Sequence, residues 1–245
     1  MLLYDFAWCK DFDKKLASLA AMTQEAWSFG PNNDCLILKN YVEYTFQKVY
    51  DEGKVAIEPY YSVFNTGLYN IYYEPLFAYF TQNRVPDRQP WLLENFCTSY
   101  QLAALGVTAL PPRANYFDDP AALVFDTNCE IIPQYEHIFG KPENFARIPP
   151  SVQNSANRIL LFDGAIQRAK AMINADYKVA IPQYYKGRVQ LLLPMYLSNP
   201  YTPDLALVVS QGETAYMGHT CLTLEMAYAN ARLIARLEGT WLQEK

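Results

Sequence analysis

Glu225, Asn230, Arg232 and Arg236 stand in a segment otherwise built from Ala, Leu, Ile, Met and Tyr, and their spacing is helical. Glu225 and Arg232 are two turns apart, so they share a face that Arg236 extends. A carboxylate beside a guanidinium can move a proton and steady an oxyanion, which makes Glu225 and Arg232 the catalytic candidates. The plainer reading is a solvated edge of helix-supporting charges. Asn230 is the more telling residue, because a neutral amide in an Ala-rich helix gains little without a partner.

A second group is Asn65-Thr66-Gly67, set in the Tyr- and Phe-rich stretch from 58 to 83. It offers an amide, a hydroxyl and a backbone free of Cβ, which suits close approach to a phosphate or a base. The same three residues also make an ordinary turn between two strands. The third group is electrostatic. Between 141 and 188 eight Lys and Arg face three Asp and Glu, a charge of +5, while the other 197 residues carry −10. Within that segment Tyr177-Lys178 and Tyr184-Tyr185-Lys186-Gly187-Arg188 interleave rings with cations, and Arg158 adds another. Stacking and phosphate contact on single-stranded nucleic acid need this composition, although a solvated basic face has it too. The overall charge of −5 speaks against a sequence-independent DNA coater, whose affinity rests on many cations.

Other chemistry is sparsely marked. The sequence has no Walker loop, GxGxxG, HExxH or GxSxG, so no cofactor or metal is expected. Its two histidines are His137 and His219. His219, two residues before Cys221, reads as part of a strand end and not as a ligand. The five cysteines lack CxxC spacing, which argues against a zinc cage or disulfide framework and for a reducing cytoplasm. No apolar run approaches the ~18 residues of a membrane span, and the N-terminus lacks the pattern of a signal peptide.

The elements that must carry these groups are best marked from 188 to 237. Val189–Tyr196, Leu205–Val209 and Thr214–Thr220 read as three strands, with Gln211-Gly212-Glu213 returning the third antiparallel. Leu222, Met226, Ala229, Leu233 and Leu237 then form one helical stripe. Upstream, 11–27 predicts an amphipathic helix through Phe12, Leu16, Leu19, Thr23 and Trp27, opened by Asp11 or Asp13 and stopped by Gly30-Pro31. A second helix is expected from a capping pair of Asn40 and Glu43, burying Val42, Phe46 and Val49 and ending at Gly53. A third follows Ser151, with Ile159, Phe162, Ile166, Ala169 and Ile173 inward. Nine of the 16 prolines fall in 84–150, which reads as a loop-dominated insertion with a short strand at Ala122–Phe125 and a short helix near Tyr135–Phe139. With 51% apolar and 18% charged residues, the expected fold is α+β over 1–245 as a single domain: a mainly antiparallel sheet packed by several amphipathic helices.

The phrases Phe64-Asn65-Thr66-Gly67-Leu68, Leu76-Phe77-Ala78-Tyr79-Phe80, Leu38-Lys39-Asn40-Tyr41, Tyr44-Thr45-Phe46, Leu192-Leu193-Pro194 and Ala227-Tyr228-Ala229-Asn230-Ala231-Arg232-Leu233-Ile234 resemble an uncharacterised bacterial family, domain of unknown function 3825. The resemblance covers nearly the whole chain and names no activity. Some members of that family sit beside cold-shock-type or other nucleic-acid-handling domains, which implies an association with nucleic acid. No attached cold-shock segment is expected in this chain. By motif match the resemblance directs attention to Asn65, Thr66, Gly67, Asn230 and Arg232.

Together these residues predict a nucleotide or single-stranded RNA binding module or regulator. Its cleft would be formed by the Asn65-Thr66-Gly67 turn, the basic Tyr-rich segment and the C-terminal helix. Arg158, Lys186, Arg188 and Arg232 would supply charge, Tyr184 or Tyr185 would stack, and Asn230 would read the ligand. One alternative is an enzyme processing phosphoesters of RNA or a nucleotide through Glu225 and Arg232. Another is a self-assembling structural protein whose aromatic edges join copies into a homo-oligomer.

Overall fold

A computed structural model describes residues 1–28, 35–237 and 240–242. Gly30-Pro31, the expected stop after the first helix, lies outside the described residues. The fold is α+β, with two mixed five-stranded sheets. Each sheet organises one of two compact units, Met1–Asn115 and Tyr116–Lys245.

The first unit runs α1 (Leu3–Phe6), β1 (Ala7–Trp8), α2 (Phe12–Met22), α3 (Leu36–Asp51), β2 (Ala56–Ile57), β3 (Tyr61–Tyr69), β4 (Pro75–Gln82), β5 (Trp91–Thr98) and α4 (Ser99–Ala104). Its sheet has the order β1-β5-β4-β3-β2, antiparallel except for β1 on β5. α2 buries Phe12, Leu16 and Leu19 as the spacing predicts, but it ends at Met22. There the Thr23 hydroxyl donates to the Ala20 carbonyl and accepts from the Trp27 indole, so both residues pack beyond the helix. α3 begins at Leu36, four residues before the expected cap. Asn40 is therefore interior, because Ile37, Leu38 and Tyr41 carry the buried face of Val42, Phe46 and Val49 back by a turn. Gly53 closes α3 as read: its φ is +66°, and Lys54 N–H donates to Val49 O. The core is largely aromatic, with Phe46 on Phe64 and both Phe64 and Phe6 on Phe80. β5, drawn from the proline-rich stretch, is flanked on both sides in this sheet. Its segment 91–98 contains no proline, so its ladder donors are intact.

The second unit runs β6 (Glu130–Pro133), α5 (Tyr135–Gly140), α6 (Pro142–Phe145), α7 (Pro150–Gln153), α8 (Arg158–Ala175), β7 (Ile181–Tyr185), β8 (Arg188–Met195), β9 (Leu205–Gln211), β10 (Ala215–Leu222) and α9 (Leu224–Arg232). The sheet order is β6-β10-β9-β8-β7, with only β6 and β10 parallel. The three strands expected at 188–237 are present and the closing helix is shorter than its stripe, since Leu222 ends β10 and Leu233 and Leu237 are buried after α9 has stopped at Arg232. No strand forms at Ala122–Phe125. Pro120 opens a 3-10 turn at 120–123 that the Asp119 carboxylate caps, and Phe125 follows it to stack on Tyr216 at 4.3 Å.

Residues two apart on a strand share a face, and both faces of this sheet are covered. Leu191, Leu193, Met195, Leu205, Leu207, Val209 and Tyr216 pack with Phe162, Ala165, Ile166, Ala169 and Ile173 of α8. Ile159 stays exposed, so the predicted stripe starts one turn late, at Phe162. On the other face Ile181, Leu192, Ala206, Val208 and Leu222 pack with Ala227 and Ala231 of α9. The expected stripe through Met226 and Ala229 is displaced: Met226 is exposed and Ala227, Ala231 and Arg232 are buried. Alanines let the helix axis lie close to the sheet, where a methionine would not fit. Among the described residues no helix is long and apolar enough to cross a membrane.

Candidate functional site

The β7–β8 hairpin closes through Lys186-Gly187, both left-handed at φ +47° and +81°. Two such residues make the turn whose twist matches the strands and fixes their register. Tyr185 thus pairs with Arg188, and Gln183 with Gln190. Leu191 pairs with Val209, which brings Gln190 beside Ser210 on the neighbouring strand. Gln183, Tyr185, Arg188, Gln190 and Ser210 therefore lie on the α9 face, continuing the apolar floor of Ile181, Leu192 and Val208.

These polar groups are chained. Asn230 Nδ2 donates to Gln183 Oε1 at 3.1 Å, Gln183 Nε2 to Gln190 Oε1 at 3.1 Å, and Gln190 Nε2 to Ser210 Oγ at 2.9 Å. Gln183 is 1% exposed, and an amide buried that deeply is tolerated only when bonded. Asn230 accordingly has the partner its place in an Ala-rich helix requires. Where the row meets the hairpin tip, Tyr185 and Arg188 are exposed, and Lys186 Nζ lies 5.3 Å from the centre of the Tyr185 ring.

The other predicted residues are distributed elsewhere. Tyr184 points to the opposite face, edge-on to Tyr116 at 5.0 Å. Arg158, at the start of α8, sits 6.0 Å from the rings of Phe139 and Phe145. Glu225 is exposed in the first turn of α9 behind its Thr223 cap, whereas Arg232 is buried in the last turn. The shared polar face expected of this pair is therefore not formed, because α9 turns its last residue into the core.

Asn65, Thr66 and Gly67 belong to the first unit and lie inside β3, not in a turn. The connection to β4 comes later, where Asn70 Oδ1 accepts from the N–H groups of Tyr72 and Glu74. The three residues form an irregularity in the ladder. Asn65 Oδ1 accepts from Gly67 N–H, and Thr66 Oγ1 donates to Leu76 O at 2.7 Å and accepts from Leu68 N–H. Thr66 is wholly buried, and Gly67 has φ +74° with space for a Cβ only 2.9 Å from Tyr41 Oη.

The second unit also assembles a group that the sequence did not advertise. In β10 the register slips between Gly218, opposite Val209, and Thr220, opposite Val208, which leaves His219 as the extra residue of a bulge. The parallel pairing sets Pro133 beside Gly218, and Gln134 N–H then bonds Gly218 O as α5 begins. One turn into α5, His137 Nδ1 lies 2.8 Å from His219 O. Asn144 Nδ2 also approaches that nitrogen at 3.2 Å, but its hydrogen bond goes to His137 O; the shorter contact is to a carbonyl, which only accepts, and it assigns the proton to Nδ1 and the lone pair of the neutral ring to Nε2. His219 Nδ1 meets Gln134 Oε1 at 3.1 Å, which assigns the same tautomer. Asn144 Nδ2 donates to His137 O and fixes the helix turn.

Gln134, Tyr135, Glu136, His137, Gly140 and Lys141 line a groove of about 590 Å³. Burial, then the neighbouring His137, holds the His219 imidazole below its ordinary value. Arg147 donates to Cys221 O at 3.0 Å, and burial pushes the Cys221 thiol up to about 12, so it is an inert thiol. The Tyr135 hydroxyl is held by Asp163, and burial and that carboxylate raise it above its usual range. Among the described residues no three His, Cys, Asp or Glu side chains are grouped to hold a metal ion. The only advance signal was the scarcity of histidine itself.

Neither the curated proteins nor the solved structures contain a match to this chain. A family model does match, across residues 16–241, and its description is domain of unknown function DUF3825. The match takes in the second sheet, the first sheet apart from β1, the amide row and both histidines, and the chain belongs to the DUF3825 family.

Proposed function

We propose that the second unit binds single-stranded RNA or a nucleotide on the α9 face of its sheet. Tyr185 stacks a base, Lys186 and Arg188 meet the phosphates, and the half-buried Asn230, Gln190 and Ser210 contact base edges while the buried Gln183 holds them in line. The observation that carries this reading is the row of amides in register with an exposed ring and two cations. Amides match the mixed donor and acceptor edges of bases, and unstacked bases lie flat on aromatic rings. Apolar side chains would fill the same strip without needing mutual hydrogen bonds. Asn65, Thr66 and Gly67 take no part, since Asn65 Oδ1 is engaged by Gly67 N–H and the Thr66 hydroxyl by Leu76 O of β4. A cytoplasmic setting agrees with the cysteines, no two of which are joined among the described residues.

The test is fluorescence anisotropy with a labelled single-stranded RNA and, separately, with nucleoside phosphates. Tyr185→Ala should weaken binding by about 1–3 kcal/mol. Arg188→Ala should reduce the slope of log affinity against log salt by about 0.7. Wild-type affinity weaker than roughly 1 mM for every probe, or an unaltered Kd in Tyr185→Ala, would overturn the reading.

A further inference from the structure

We propose that His137 and His219 form an acid–base pair that cleaves an RNA phosphodiester by attack of its own 2′-hydroxyl. This inference rests on the RNA reading of the same unit and adds a reaction to it. The chain has two histidines, and the fold brings these two together from positions 82 residues apart. Each has its Nδ1–H occupied by an oxygen, one a backbone carbonyl and the other the Gln134 amide. Both therefore offer Nε2 as the working atom, and neither can rotate without losing its bond.

Bulges re-aim side chains near active sites, and this one leaves His219 outside the sheet's own pairing. The groove lined by His137 and by Gln134, the partner of His219, is also lined by Lys141, a cation for the charge that gathers on the phosphate oxygens. Glu136 also lines it, and Arg147 reaches the carbonyl of Cys221 two residues from His219. These are the charges that set the local field. Asp163 is engaged by Tyr135.

The step balances without any co-reactant. His219 Nε2, neutral, takes the proton of the 2′-hydroxyl as the 2′-oxygen bonds to phosphorus. The bond from phosphorus to the 5′-oxygen breaks, and His137 Nε2–H, protonated, gives its proton to that oxygen. The products are a 2′,3′-cyclic phosphate and a 5′-hydroxyl, and the histidines return to their starting states by proton exchange with water. One group that takes a proton and another that gives one, on either side of the reacting phosphorus, is the ordinary arrangement for this chemistry.

The test uses His137→Asn and His219→Asn in the full chain. An Asn amide reaches the place of Nδ1 and keeps the bond to the His219 carbonyl or to Gln134, so a merely structural role survives the change, while Nε2 is lost. On single-stranded RNA in a chelating buffer, both variants should lose cleavage by about 10²–10⁴-fold with RNA affinity unchanged. On uridine 3′-(4-nitrophenyl phosphate), whose leaving group needs no proton, His137→Asn should keep its rate and His219→Asn should not. The wild type should give a bell-shaped rate against pH, and a methylated 2′-oxygen should block the reaction.

Should a variant lose its thermal transition, diethylpyrocarbonate on the untagged wild type serves instead. It should abolish cleavage, and hydroxylamine should restore it. RNA binding without cleavage of either substrate, or cleavage surviving in both variants, would overturn the acid–base pair and leave the binding reading standing. Cleavage of the small substrate without RNA affinity would uphold the pair and sink the binding reading.

Discussion

Gln183→Met removes the middle of the amide row and exposes how the row is held. The substitution keeps length and bulk while deleting one donor and one acceptor. Asn230 Nδ2 loses its acceptor and Gln190 Oε1 its donor. A buried polar atom left unsatisfied costs about 1–3 kcal/mol. Asn230 and Gln190 are half-buried, so water reaches part of each, and about half that cost per atom is the working figure. The apolar methionine offsets roughly 0.8 kcal/mol. The net expectation is a destabilisation of about 1–2 kcal/mol, read as roughly tenfold faster native-state amide exchange in β8. The combined variant Gln183→Met, Gln190→Met, Asn230→Leu, Ser210→Ala has no orphaned partner, so its exchange should return close to wild type. Its RNA affinity should nevertheless be lost. Exchange unchanged in the single variant, or a loss of protection in the combined variant equal to the sum of four single losses, would refute the reasoning.

Gly67→Ala should destabilise the first unit by about 1–3 kcal/mol, since φ +74° disfavours any Cβ and Tyr41 Oη stands 2.9 Å from its position; urea unfolding measures this, and an unshifted midpoint would contradict it. Glu52 gives a pH dependence. Burial raises its carboxyl, but hydrogen bonds from Lys48, Lys54 and the Asn115 N–H outweigh that and hold it below the ordinary range. Its stabilisation is full above the unfolded value of about 4.3 and is lost as pH falls through the folded value. Acid titration followed by circular dichroism should therefore show a later transition in wild type than in Glu52→Gln.

What could be read in advance depended on whether the governing contact was local. The strands of 188–222 were legible because apolar runs end at Asn199-Pro200, Thr202-Pro203 and Gln211-Gly212. α8 was legible by period, yet Ile159 fits that period and still faces solvent, because periodicity does not report where the sheet beneath a helix ends. In α9 the large Met226 outweighed Ala227 and Ala231 in the apolar pattern, although close packing on Ile181, Leu192 and Ala206 selects the small residues. Asn65-Thr66-Gly67 has turn composition, but its side chains replace bonds of the ladder between β3 and β4. Of the site itself, Tyr185, Lys186, Arg188 and Asn230 could be named from composition. Gln183, Gln190 and Ser210 could not, because they meet only through cross-strand register. The histidines were hidden for the same reason, since their meeting depends on a parallel pairing between distant segments.

The slip in β10 has a consequence for how this protein can vary. Gly218 and Thr220 already pair with consecutive residues of β9, Val209 and Val208. Subtracting the intervening residue would leave every other side chain of the strand on its present side, with Tyr216 inward and Cys221 still in its layer. Position 219 is thus a supernumerary place in the weave, where a side chain can be chosen without regard to filling the interior.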